Sequence, residues 1–221
     1  MLYIVPTPIG NREDLTFRSL RILNEVDLIL AENNKISKRL LSFYKIKTHI
    51  KTYHIYNEHK MIPSILEKIK KGKKLALISN AGTPSISDPG FLLIRSCIEA
   101  SISIECLPGP TALIPAVVVS GFPINEFTFV GFLPKKKRKT QLNNLSKENR
   151  TIILYESPHR LLRTLNDLKD FFDLKRNIVI CKEISKMFQE TLRGNIEDMI
   201  LYYKKIKKIL GEYVIIIERK L

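Results

Sequence analysis

Short apolar runs alternate with longer segments of helical period along almost the whole chain, and a sequence patterned this way buries its apolar faces by stacking helices on a sheet. Leu2–Val5, Val26–Ala31, Leu75–Ser79 and Ile102–Leu107 read as strands in the first half; Phe127–Leu133, Thr151–Glu156, Ile178–Lys182 and Tyr213–Glu218 read so in the second. Between them, Leu15–Leu23, Ile62–Lys70, Phe91–Ala100, Thr111–Ser120, His159–Phe172 and Ile196–Ile206 carry apolar residues three and four apart, as one-sided helices do. A seam near Gly121-Phe122-Pro123 separates the two series, so the expected fold is α/β with two lobes, residues 1–120 and 121–221. With 221 residues, 44% of them hydrophobic, each lobe can hold a modest core.

Charge narrows the choice of partner. A formal net charge of +15 favours a polyanion, because each phosphate that is neutralised releases condensed counterions. The joint abundance of Lys, Ile and Asn offers a second origin for that charge, the codon bias of an AT-rich genome. No run of 18 apolar residues occurs, and Met1–Pro6 has neither a basic flank nor a long apolar stretch, so no membrane segment and a cytoplasmic location are expected. Cys97, Cys106 and Cys181 are too scattered for a disulfide framework and read as ordinary buried thiols. His49, His54, His59 and His159 form no cluster at ligand spacing, so no catalytic metal is expected. Neither G-x-G-x-x-G nor G-x-x-x-x-G-K-[ST] is present, which demotes dinucleotide binding and nucleotide hydrolysis.

Three turns stand out, each following an expected strand. Ser79–Gly90 holds two glycines and two prolines among small side chains, leaving a stiff, bare backbone that a ligand can approach closely. Thr7-Pro8-Ile9-Gly10-Asn11 and Pro108-Gly109-Pro110-Thr111 have the same character. In open α/β sheets ligands bind outside the carboxyl ends of strands, where all three turns are expected. In the second half, Tyr155–Leu161 places polar side chains at a strand-to-helix junction. Ser157 and Pro158 have a structural reason there, as cap and first helical residue, whereas Glu156, His159 and Arg160 do not. Lys182-Glu183 and Gly211-Glu212-Tyr213 read as a polar rim.

Taken in order, Thr7–Asn11, Ala31-Glu32, Asn57-Glu58, Asn80–Gly90, Leu107–Pro110, Gly131–Pro134, Tyr155–Leu161 and Lys182-Glu183 resemble the motifs of the 16S rRNA (cytidine-2′-O)-methyltransferase family, within the tetrapyrrole-methylase superfamily. The resemblance implies a homodimer of two-lobed α/β subunits binding S-adenosylmethionine (SAM) in the cleft between lobes and methylating a ribose 2′-hydroxyl of 16S rRNA in the small ribosomal subunit. It assigns the SAM site to Pro8, Gly10, Asn80, Ala81, Gly82, Thr83, Pro84, Ser87, Asp88 and Thr111, completed by Phe132, Leu133 and Tyr155. Glu32 is the first candidate for proton acceptor, with Glu58 and His159 behind it. Lys135, Lys136, Lys137, Arg138 and Arg160 are candidates for phosphate contacts.

The chain departs from the family pattern at Asn33, Asn34, Lys35 and Asn80, where Asp, Thr, Arg and Asp are expected. An Asn keeps an acceptor oxygen but no charge, so position 33 cannot serve as a base. Two alternatives remain: a methylase of small tetrapyrrole-type substrates, and an RNA-binding relative without catalysis.

Overall fold

A computed structural model describes residues 1–220, which form two compact units by their contacts, residues 1–111 and 112–220. The first unit is built on a five-stranded, wholly parallel sheet: β1 (Leu2–Ile4), β2 (Leu28–Ala31), β3 (Ile50–Thr52), β4 (Leu75–Ile78) and β5 (Ile104–Cys106), in the order β3-β2-β4-β1-β5. A parallel sheet needs cover on both faces, which is why Leu28–Ala31 and Leu75–Ile78 are apolar at every position and buried throughout. Helices α1 (Phe17–Glu25) and α2 (Asn34–Phe43) seal one face, with Ile22, Leu23 and Leu41 against Tyr3, Val5, Ile29, Ala76 and Ile78. Helices α3 (Glu58–Lys70) and α4 (Phe91–Glu99) seal the other, with Met61, Ile65, Ile69, Leu93 and Cys97 against Leu2, Ile4, Leu30, Leu75 and Leu77. Because every strand runs the same way, all five strand ends deliver their loops to one edge.

The second unit is a mixed sheet: β6 (Phe127–Phe132), β7 (Thr151–Glu156), β8 (Asn177–Lys182), β9 (Glu190–Asn195) and β10 (Tyr213–Ile217), in the order β6-β7-β10-β8-β9. The β6–β7 pair is parallel and the other pairs are antiparallel. Helices α6 (Arg138–Leu145), α7 (Pro158–Lys169) and α8 (Ile196–Lys204) cover one face through Leu142, Leu161, Leu165, Met199 and Tyr203. The opposite face receives α5 (Leu113–Ser120), whose Ala116 and Val117 pack on Ile153, Val179, Val214 and Ile216. That packing places α5 in the second unit, ahead of the seam expected at 120/121.

Two expectations need correction. Cys106 is exposed, because it lies on the edge strand β5, whereas Cys97 and Cys181 are buried. Nor are all the candidates for phosphate contacts open to solvent: Arg138 opens α6 and is buried. Among the described residues no helix is long and apolar enough to cross a membrane.

Candidate active site

At the carboxyl edge of the parallel sheet the turns after β1, β4 and β5 are tied to one another. Thr7 and Gly82 exchange both backbone hydrogen bonds, each 2.9 Å, and the buried Thr7 hydroxyl donates to Ser79 O at 3.2 Å. The Thr83 hydroxyl donates to Pro110 O at 3.0 Å, joining the turn after β4 to the turn after β5. Gly109 closes the triangle: a Cβ there would stand 2.6 Å from Pro6 Cβ and 2.9 Å from Pro6 Cγ, so only glycine permits this approach. The long turn is also conformationally committed, since Ser85 (φ 74°) and Ser87 (φ 64°) sit in the left-handed region that side chains avoid.

Glu32 leaves β2 next to this triangle. Its Oε2 accepts from Asn80 Nδ2 at 2.7 Å, so the Asn that stands in place of the family's Asp acts as a donor to the candidate base. A second Asp here would set two carboxylates against each other; the amide removes that repulsion. Asn33 has a different task, because its Oδ1 caps α2 by accepting from Lys35 N–H at 3.0 Å and Ile36 N–H at 3.3 Å. Glu58 is buried and accepts from the Tyr53 hydroxyl at 3.3 Å, and burial together with this carboxylate pushes the Tyr53 hydroxyl well above its usual range. Glu58 is therefore already engaged within the unit, and Glu32, half-buried at the loop edge, is the better placed carboxylate.

Of the other first-half candidates, Pro8, Gly82 and Pro84 are buried, Asn80, Thr83, Asp88 and Thr111 are half-buried, and Gly10, Ala81 and Ser87 are exposed. Four buried side-chain atoms lack a hydrogen-bond partner here: Asn34 Oδ1, Ser37 Oγ, His54 Nδ1 and Asn80 Oδ1. Each belongs to a segment that follows the carboxyl end of β2, β3 or β4. Buried polar atoms are almost always satisfied by protein or ordered water, so these four atoms have hydrogen-bonding capacity left for a water or a ligand. Nothing in the local sequence of Asn34, Ser37 and His54 announces burial, so their part here is visible only in the fold. The metal-site picture is bare: among the described residues no three His, Cys, Asp or Glu side chains gather.

In the second unit, Tyr155 receives the Leu113 N–H at 3.1 Å on its hydroxyl and packs edge-on against Phe129 and Phe132, with centroids at 5.0 and 5.8 Å. Phe132 is half exposed, but the Leu133 side chain is buried in the core, which leaves only its backbone to meet a ligand. His159 is exposed on the first turn of α7.

Glu156 organises the helix junction. Its Oε1 accepts from Ser157 N–H at 2.8 Å and its Oε2 from the Thr164 hydroxyl at 2.5 Å, while Arg160 Nε lies 3.5 Å away. Arg138 Nε donates to Asp167 at 2.6 Å and Nη2 to Thr164 at 2.6 Å. The phosphate contact expected of Arg138 is thus corrected: its guanidinium is buried and bound to α7. Arg160 donates through Nη2 to Leu133 O at 2.5 Å. Lys135, Lys136 and Lys137 are exposed.

The Lys182-Glu183 and Gly211-Glu212 rim has a structural reason. Glu183 accepts from Glu212 N–H and from Lys186 Nζ, both at 2.8 Å. Burial alone would raise the Glu183 carboxyl, but these partners hold it below its usual value. Gly211 (φ 100°) leaves no room for a Cβ, which would meet Glu183 Cγ at 2.7 Å.

Known proteins can be set beside this geometry. The family model described as Tetrapyrrole (Corrin/Porphyrin) Methylases matches residues 1–200. A Thermotoga maritima protein named ribosomal RNA small subunit methyltransferase I is 46% identical, over 99% of this chain and 98% of its own length. A Haemophilus influenzae protein of the same name is 45% identical, over 100% of this chain and 79% of its own. Among solved structures, a cobalt precorrin-4 methyltransferase superposes with a TM-score of 0.72 at 16% identity, covering 98% of this chain and 94% of its own. A Thermus thermophilus uroporphyrin-III C-methyltransferase, solved with S-adenosyl homocysteine, gives 0.68 at 16% identity, covering 97% and 96%.

Proposed function

Because the chain belongs to the tetrapyrrole methylase family, and within it to the ribosomal RNA small subunit methyltransferase I group, we propose that it transfers a methyl group from SAM to the ribose 2′-hydroxyl of a cytidine in the decoding region of 16S rRNA. It is a SAM-dependent methyltransferase; the ribose target, the decoding-region site, the ribosomal subunit as substrate and the homodimer are the proposed part. The observation that carries this reading is the tied set of turns after β1, β4 and β5 with the orphaned Asn80 Oδ1 beside them. An unpartnered buried acceptor on bare backbone suits SAM, which presents ammonium, ribose and adenine donors.

When bound, SAM supplies a methyl group on a positively charged sulfur, a good leaving group. The residues Pro8, Gly10, Asn80–Pro84, Ser87, Asp88 and Thr111 would hold it, chiefly through backbone. Aligning the 2′-oxygen with the methyl carbon and excluding water lowers the barrier by about 7 to 11 kcal/mol. Glu32, which Asn80 holds in place at 2.7 Å, would take up the proton that the 2′-hydroxyl gives up on methylation. The exposed Lys135, Lys136 and Lys137 contact RNA phosphates and confer no sequence preference of their own. The exposed Ile114, Val118 and Val119 of α5 offer apolar surface for a second copy. The enzyme acts in the cytoplasm.

The tetrapyrrole-substrate alternative draws on the family model's description and on structures of 16% identity, which speak for the fold alone, whereas the relatives of 45 and 46% identity are named for ribosomal RNA. Incubating under-methylated small ribosomal subunits with methyl-labelled SAM tests the proposal: label should map to one cytidine ribose. Label on a base, or none at all, would overturn it.

A further inference from the structure

Outside the sheet-edge turns, the second unit holds a recess of about 280 Å³ lined by Pro134, Lys135, Arg138, Arg160 and Arg163. Every lining residue but the proline is cationic. The carboxylates that reach these cations are Glu156, 3.5 Å from Arg160 and 4.0 Å from Arg138, and Asp167, 2.6 Å from Arg138 and 4.0 Å from Arg163. Four cations against two carboxylates leave the recess with an uncompensated positive charge. Arg138 is buried with Nη1 lacking any partner, so its charge acts on the recess from the wall, where little solvent screens it. Arg160, partly exposed, spends Nη2 on Leu133 O and is held rigidly. Lys135 and Arg163 are exposed at the mouth. The helix α6 opens here as well, with no side-chain hydrogen bond from its cap residue Lys137, so its first amides add to the positive end.

We propose that this recess is a phosphate subsite that seats one phosphodiester of the substrate RNA, with Lys135, Arg160 and Arg163 making the contacts. The proposal rests on the RNA reading above and adds to it a defined place, and a residue, Arg163, that no motif singled out. A built recess differs from the loose lysine run beside it, because it fixes where one phosphate sits and so sets the register of the strand on the enzyme. Its volume has room for a phosphate group.

The test uses the full chain carrying K135Q and R163Q together, beside a control pair, K207Q and K208Q, of the same charge change. Affinity for under-methylated small subunits is measured from 50 to 200 mM salt, with SAM affinity as the check on folding. The expected result is a roughly tenfold weaker complex and a log–log salt slope shallower by about 0.7 to 1 for K135Q/R163Q. SAM affinity stays the same, and the control pair shifts neither quantity by as much. Equal losses in the two pairs would mean a diffuse charge effect and would overturn the subsite. Unchanged RNA affinity, with inorganic phosphate shifting amide resonances of Lys135–Lys139 at millimolar concentration, would make the recess a site for a free anion and overturn it too. If the unaltered chain fails to bind small subunits while binding SAM, the RNA reading itself fails, which separates the two failures.

Discussion

Replacing Gly109 with alanine should loosen the whole sheet-edge site through one methyl group. The added Cβ would lie 2.6 Å from Pro6 Cβ and 2.9 Å from Pro6 Cγ, against an ordinary contact of about 3.5 to 4.0 Å. The proline ring cannot rotate aside, so the turns after β1 and β5 must part by about 1 Å. Pro6 adjoins Thr7, whose paired bonds to Gly82 are both 2.9 Å, so parting stretches that bridge. Overpacking costs about 1 to 3 kcal/mol, and a weakened bridge adds about 1 kcal/mol. A net loss of about 2 to 3 kcal/mol corresponds to a thermal midpoint roughly 10 °C lower for a unit of this size. Calorimetric melting gives the stability change, and titration with SAM gives the functional one, expected to be at least about tenfold. In a double-mutant cycle P6G/G109A should cost less than the two single changes summed, because P6G removes the atoms struck. A G109A chain that melts within about 1 °C of the parent and binds SAM equally well would refute the close packing of these turns.

Further outcomes follow from the same geometry. E32Q keeps the hydrogen-bonding shape but cannot take a proton, so the methylation rate should fall about 10² to 10⁴-fold with SAM affinity nearly unchanged; single-turnover methylation of small subunits measures this, and an unaltered rate would exclude Glu32 as the acceptor. R138M removes the buried cation between Glu156 and Asp167 and leaves them only the longer pairs to Arg160 at 3.5 Å and Arg163 at 4.0 Å, and chemical denaturation should report a loss of about 3 kcal/mol; a loss below about 1 kcal/mol would show that the pairing has little weight. The Arg150 guanidinium beside Glu148 depresses its carboxyl to about 2, so the stabilisation is present above about pH 4.5 and is lost as pH falls toward 2. E148Q should therefore melt below the parent at pH 7, by no more than about 1 kcal/mol after solvent screening, and match it near pH 2; a gap that persists at pH 2 would contradict the charge origin.

How much of this could be read from residues alone depended on burial. The strands β1, β2, β4, β7, β8 and β10 were legible because both their faces are covered, which makes their centres apolar, and the edge strands β5 and β6 were legible from the apolar residues of Ile102–Leu107 and Phe127–Leu133. The elements that escaped notice bury little: β3 and β9 hold no buried residue, α2 buries only Ser37 and Leu41, and α6 buries Leu142, Leu145 and the unexpected Arg138. The glycine and proline turns announced a ligand edge, since local backbone chemistry is written in local sequence. Their ties were invisible, because Thr7 and Gly82, or Thr83 and Pro110, meet only once the sheet has formed. Arg138 misled for the opposite reason. Within Lys135–Lys139 it looks like one more solvated charge, and only the fold brings Thr164 and Asp167 to it.

The central claim is that the turns after β1, β4 and β5 together hold the methyl donor. Titrating the isotope-labelled chain with SAM and following backbone amides by NMR tests it most directly. The largest shifts should fall on Thr7, Ile9, Gly10 and Asn11, on Asn80–Thr83 and Ser85–Asp88, and on Gly109 and Thr111. Shifts confined to other segments, or saturable binding that leaves these amides in place, would contradict it.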